Sequence, residues 1–133
     1  MLDQFLVKTS ARCELTDITP LVREAVRKSA VINGICFMYT PHTTSGIIIN
    51  ENADTDVKHD IAEFLRKLIP KEGGFKHSEG NSDAHIKSCL CGNSKTVFIE
   101  GNNLKLGTWE GIYLAEFDGP RTREIWVKIL SDN

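Results

Sequence analysis

The sequence predicts one compact α+β domain over residues 1–133, with a mainly antiparallel, sandwich-like sheet and two to three covering helices. Three observations predict it. Short apolar segments bounded by turn formers recur at both ends of the chain, two or three central segments carry helical signals, and hairpin turns join the C-terminal strands. A chain of 133 residues, 41% hydrophobic and 26% charged, can bury a core without staples.

Phe5 to Thr9 and Arg12 to Thr16 read as two short strands. Asp17-Ile18-Thr19-Pro20 opens a helix, with Thr19 as its cap and Pro20 at the first helical position, where a missing N–H costs nothing. Leu21, Val22, Ala25 and Val26 give it one apolar stripe, and Asn33-Gly34 turns the chain into a strand over 35–40 that Pro41 stops. Ser45 to Asn50 is a second strand, whose isoleucines predict burial on both faces. A helix over 54–68 presents Val57, Ile61, Phe64, Leu65 and Leu68 on one side, with Asp54 or Asn52 as its cap. Residues 71–83 form a long polar loop, and a short helix to Leu90 ends before Gly92. Strands over 96–100, 104–106, 111–117 and 123–130 follow, with turns at Gly101-Asn102-Asn103 and Asp118-Gly119-Pro120.

Composition excludes several function classes. With 16 basic and 18 acidic residues, net −2, no global field favours nucleic acid. The longest apolar run, around Gly46 to Ile49, is far short of the roughly 20 residues that span a bilayer, so no membrane partner is expected. Met1-Leu2-Asp3-Gln4-Phe5 shows no export signal, so a cytoplasmic location with free thiols is expected. Cys13 and Cys36 read as buried small hydrophobes, and Cys89 and Cys91 lack the spacing of a zinc knuckle.

Chemistry concentrates in polar loops. His42 follows a strand, His77 lies in the long loop and His85 opens the short helix, whereas His59 sits off its helix's apolar stripe. His77 to His85 places two imidazoles and two carboxylates in nine residues, which suits either a divalent ion or an ordinary hydrated loop. His42-Thr43-Thr44-Ser45-Gly46 can present hydroxyl and N–H donors to an anion, or serve as a tight connection; it lacks the glycines and lysine of a P-loop. Strand alternation turns Glu116 to the same face as Ile112 and Leu114, so it is paired in the interior or rims a pocket. Arg121 is its expected partner and a suitable phosphate clamp, while Asp118 could equally brace the turn. No glycine-framed nucleophilic serine is present, which argues against acyl-transfer hydrolysis.

Read in order, His42 to Gly46, Asn50-Glu51-Asn52, the His77 to His85 loop with Ile86-Lys87-Ser88, and Leu106-Gly107-Thr108-Trp109 through Phe117-Asp118-Gly119-Pro120-Arg121 resemble the YjbQ-type family over nearly the whole chain. The resemblance implies a compact α+β homotrimer of largely unknown function, with a secondary thiamine-phosphate synthase activity. It implies a divalent ion, zinc or magnesium, on His42, His77 and His85. Glu51, Glu116 and Arg121 become the catalytic candidates, and Thr43, Thr44, Ser45, Trp109 and Asp118 the substrate-binding ones. Glu110 departs from the pattern, in which glutamine follows the tryptophan. The leading expectation is pyrophosphate-displacing transfer on a small phosphorylated molecule, for which a departing pyrophosphate needs cationic stabilisation. The alternatives are a trimeric metal- or ligand-binding module without turnover and a metal-dependent phosphoester hydrolase.

Overall fold

A computed structural model describes residues 1–133. The element order is β1 (Leu2–Lys8), β2 (Glu14–Asp17), α1 (Thr19–Ser29), β3 (Gly34–Tyr39), β4 (Ser45–Glu51), α2 (Thr55–Leu68), α3 (Ser82–Cys91), β5 (Ser94–Glu100), β6 (Asn103–Leu104), β7 (Glu110–Glu116) and β8 (Thr122–Ser131). All pairings are antiparallel. They build a five-stranded sheet, β1-β8-β3-β5-β6, and a three-stranded sheet, β2-β7-β4. This is the α+β, sandwich-like arrangement that the alternating apolar segments predict.

The layers follow from which side chains alternate inward. Cys36, Met38, Val97, Ile99, Ile125 and Val127 of the large sheet meet Ile47, Ile112 and Leu114 of the small one, and α1 adds Val22, Ala25 and Val26 to the same core. The opposite face of the small sheet, through Leu15, Tyr113, Ala115 and Phe117, packs on Ala84 of α3 and against Ile61 and Leu65 of α2. The outer face of the large sheet has no cover: Leu6, Phe37, Phe98 and Leu130 lie exposed on it. Leu130, Ile35 and Phe98 line up across β8, β3 and β5 there.

Local chemistry explains the boundaries. Asp54 caps α2 by accepting the Asp56 N–H at 2.9 Å. Thr19 does not cap α1; Ile18 stands at the cap, Asp17 accepts the Thr19 N–H, and the Thr19 hydroxyl accepts the Ile112 N–H of β7. The hydroxyl is drawn away because α1 packs in the core, where β7 offers a buried donor. Gly101 and Asn102 both take positive φ, 61° and 62°, which makes the tight β5–β6 hairpin. Gly46 lets α3 close on β4, since a Cβ there would sit 2.7 Å from the Gly92 carbonyl oxygen.

Three expectations change. Cys36 is buried, and burial pushes its thiol up to about 12, but Cys13 is exposed with its Sγ 3.7 Å from the Phe117 carbonyl. The apolar side of α2 is only half covered, and Phe64 and Leu68 remain exposed because the small sheet is too narrow to span it. Ile47 is fully buried, whereas Ile48 and Ile49 are half-buried. No helix is long and apolar enough to cross a membrane.

Candidate functional site

The densest polar region lies at one end of the small sheet, where Ser45, Glu116 and Glu14 stand in register on β4, β7 and β2. Glu116 is fully buried, as its alternation with Ile112 and Leu114 requires. Its partner is Arg123, not Arg121. Arg123 occupies an inward position of β8 together with Ile125 and Val127, whereas Arg121 belongs to the turn before the strand. Arg123 Nε donates to Glu116 Oε1 at 2.9 Å, Arg123 Nη2 donates to Oε2, Thr9 Oγ1 donates to Oε1 at 2.7 Å, and the Asp118 N–H donates to Oε2 at 3.1 Å. Burial alone would raise the Glu116 carboxyl, but these donors outweigh it and hold the group below its ordinary value. A fully buried carboxylate with both oxygens occupied is a structural anchor, which removes Glu116 from the catalytic candidates.

Arg123 also fixes the loop after β3. Its Nη2 donates to Thr44 Oγ1 at 2.8 Å and to the Thr44 carbonyl at 3.1 Å. Ser45 Oγ shares a hydrogen bond with Thr40 Oγ1 in the interior. Thr44 and Ser45 are thus consumed within the fold, because β4 begins at Ser45 and draws them inward; Thr43 alone of the three hydroxyls is exposed.

Two further carboxylates tie α3 to this end. Asp83, fully buried, accepts Arg12 Nη2 at 3.0 Å, Arg12 Nη1 at 3.2 Å and Lys87 Nζ at 3.0 Å. Asp118 Oδ2 accepts both Arg121 Nη2 and Asn81 Nδ2 at 2.8 Å. That arrangement fixes the Asn81 amide so that its Oδ1, shielded from solvent, has no donor. Arg121 braces the turn by a second bond, Nε to the Asp118 carbonyl, and still leaves half of its side chain exposed. Asn81, Lys87, Arg12 and Arg123 escape the sequence reading, and Asp83 enters it only as one of the two carboxylates between His77 and His85. Asp83 and Lys87 sit four apart on one helix face, and Arg123 alternates with apolar residues, so those three left a signal; Arg12 and Asn81 left none.

The histidines separate. His77 and His85 come together with ring centroids 5.5 Å apart, edge to face. His42 does not join them. Its Nε2 accepts the Glu124 backbone N–H at 2.8 Å, so the neutral ring carries its proton on Nδ1 and has no lone pair for a metal. No group of three or more His, Cys, Asp or Glu side chains converges, so a three-histidine centre does not fit within one chain. Burial lowers the His42 pKa, and the nearby Arg123 charge adds to this. A lowered folded value makes the stabilising neutral ring fully effective above the unfolded value of 6.5 and progressively lost as pH falls below it. Thermal melts stepped from about pH 7 to pH 5 should therefore show a decline that a His42→Leu variant lacks.

Glu51 and Trp109 lie elsewhere. Glu51 pairs with Glu110 at the far end of β4 and β7, six residues from Ser45 and Glu116, or about 20 Å. Trp109 is exposed in the turn before β7, and Glu110 Oε1 closes that turn by accepting the Gly107 N–H at 2.8 Å. The Tyr113 hydroxyl donates to the Glu51 carbonyl. β4 and β7 are each seven residues long and antiparallel, so the motif at the start of β4 meets the one at the end of β7, and the Glu51 and Trp109 motifs meet at the opposite pole.

A sequence profile described as UPF0047 protein YjbQ-like matches residues 3–132. The chain belongs to this family. A UPF0047 protein of Methanocaldococcus jannaschii is 58% identical over 99% of this chain and 96% of its own length. The UPF0047 protein YugU of Bacillus subtilis is 45% identical over 98% and 99%. Among solved structures, an uncharacterised YjbQ/UPF0047 family protein of Clostridium acetobutylicum superposes with a TM-score of 0.94 at 53% identity, covering 96% of this chain and 99% of that one. A YbjQ-like protein of unknown function from Sulfolobus solfataricus gives 0.94 at 33% identity, covering 99% and 97%. These relatives share the fold end to end, and the family is one of uncharacterised function.

Proposed function

We propose that the protein binds a small phosphorylated molecule at the pole formed by Arg121, Thr43 and the His77–His85 pair. The observation that carries this reading is the Arg121 side chain. It is oriented by two hydrogen bonds to Asp118 and half exposed. A guanidinium held in this way is a directed anion ligand whose ordering cost is already met by the fold. His85 stands one helical turn beyond Asn81 on α3, so its imidazole belongs to the same neighbourhood.

Pyrophosphate-displacing transfer of the thiamine-phosphate-forming kind is the reaction we place here. Arg121 would stabilise negative charge on the departing pyrophosphate, and the Thr43 hydroxyl would donate to its oxygens. A divalent ion would supply the same charge neutralisation, but His77 and His85 offer only two of the donors it needs, and no step depends on it here. Titration with inorganic pyrophosphate tests the reading. Arg121→Ala should weaken binding about tenfold or more, the loss of charge-assisted hydrogen bonds of about 1.5–3 kcal/mol. Unchanged affinity in that variant would sink it. Thiamine phosphate formation from the pyrimidine pyrophosphate and thiazole phosphate should fall in parallel.

A second reading, association into a homotrimer, is supported by the bare outer face of the large sheet. Leu6, Phe37, Phe98 and Leu130 expose an apolar surface there that a monomer in water would ordinarily cover.

A further inference from the structure

The chemistry-bearing residues fall into two groups that one chain holds apart. Arg121, Thr43 and the His77–His85 pair stand at the Ser45/Glu116 end of the small sheet. Trp109, Glu51 and Glu110 stand at the other end, about 20 Å away.

Each pole is incomplete in its own way. Trp109 is 64% exposed, yet its backbone is fixed: the Glu110 N–H donates to Gly107 and the Asn52 N–H donates to the Trp109 carbonyl. Glu51 and Glu110 face each other across β4 and β7, and neither forms an ion pair in its own chain, an unfavourable like-charge juxtaposition in a sheet. At the opposite pole, Arg121 Nη1 makes no hydrogen bond. The uncovered apolar face of the large sheet reaches that same pole through Tyr39 and Trp126, which stack at 5.6 Å. The Trp126 Nε1 is shielded and finds no acceptor in its own chain.

One pole therefore offers a cation, an apolar surface and an unpaired donor, and the other an exposed indole and two carboxylates. The two are unlike and complementary, as a head-to-tail contact between identical chains demands. We propose that the functional site is composite: Trp109, Glu51 and Glu110 of one copy close over Arg121 and the His77–His85 pair of the next. This rests on the phosphate-binding reading above and narrows its ligand to an organic phosphate bearing a flat ring. Arg121 takes the phosphate while Trp109 of the adjoining copy covers the ring.

The chain has two tryptophans, so 5-fluorotryptophan labelling resolves them by fluorine NMR, with Trp109→Phe assigning the Trp109 line and Trp126 kept in place. In the labelled protein, access of a soluble paramagnetic quencher to Trp109 should drop when sedimentation shows assembly, and rise again on dilution to monomer. Arg121→Glu or Glu51→Lys in the labelled protein should each abolish the shielding. A mixture of the two should recover it where the reversed charges meet, which a merely misfolded variant could not do. A protein that assembles with Trp109 fully open to quencher, or one that stays monomeric at every concentration, overturns the composite site. Failure of the mixture to recover shielding does the same. Inorganic pyrophosphate is titrated separately; no binding there, with Trp109 shielded, fails the phosphate reading and upholds the shared surface.

Discussion

Replacing Glu116 with alanine is expected to destabilise the protein by about 3–5 kcal/mol, the cost of leaving a buried charge without its partner. Arg123 and Glu116 are both essentially inaccessible to solvent, so water cannot take the place of the lost carboxylate. The damage should spread along the bonds that radiate from the pair. The Asp118 N–H loses its acceptor, Thr9 keeps only its longer contact to the Arg121 carbonyl, and Arg123 loses the counter-charge that steadies its grip on Thr44. For a domain whose total stability is of order 5–15 kcal/mol, this removes a large share of it. Urea denaturation of Glu116→Ala, Arg123→Met and the double variant Glu116→Leu/Arg123→Met measures the effect. The double variant should recover most of the loss, because it removes both charges and leaves apolar volume. A double variant as unstable as Glu116→Ala would show that shape, and not charge, holds this position.

Asp83→Ala is expected to cost a similar amount, about 3–5 kcal/mol, for a related reason. Lys87 is buried beside Asp83 and has no other carboxylate within reach, while Arg12 would lose its two-pronged contact. Adding Lys87→Met should restore stability, since the stranded ammonium is then gone. The same site sets an acid limit. Burial would raise the Asp83 carboxyl, but Arg12 and Lys87 hold it below its ordinary value, as Arg123 does for Glu116. Lowered folded values mean that this stabilisation is complete above the unfolded values of 3.8 and 4.5 and disappears as pH falls through the lower folded ones. Acid titration followed by circular dichroism should show cooperative unfolding below about pH 4, shifted upward in Asp83→Ala.

Much of the fold was legible because its signals are local. Hairpin turns, a capping Asp54 and the alternation that buries Glu116 each act over a few residues. The site was less legible because its bonds join residues far apart in sequence. Arg12 reaches Asp83 across 71 positions and Thr9 reaches Glu116 across 107, distances over which no periodicity speaks. Arg121 looked like the natural partner of Glu116 because it is close in sequence, yet strand alternation favours Arg123, two residues further on. Thr44 and Ser45 looked like ligand donors because they are polar, whereas the interior needed those hydroxyls to satisfy Arg123 and Thr40. His42 looked like a metal ligand for the same reason, and a backbone N–H from β8 occupies its nitrogen.

The position of β8 has a consequence for synthesis. This strand, residues 122–131, is made after the other ten elements but inserts between β1 and β3, inside the large sheet. Until it emerges from the ribosome, β1 has no neighbour in its sheet and β3 presents a vacant edge beside its exposed aromatic side chains. Arg123 arrives with the same strand, so Glu116 and Thr44 also wait for it. Nascent chains are thus open to pairing with one another over most of translation, and chains cut before residue 122 should be captured by chaperones or aggregate.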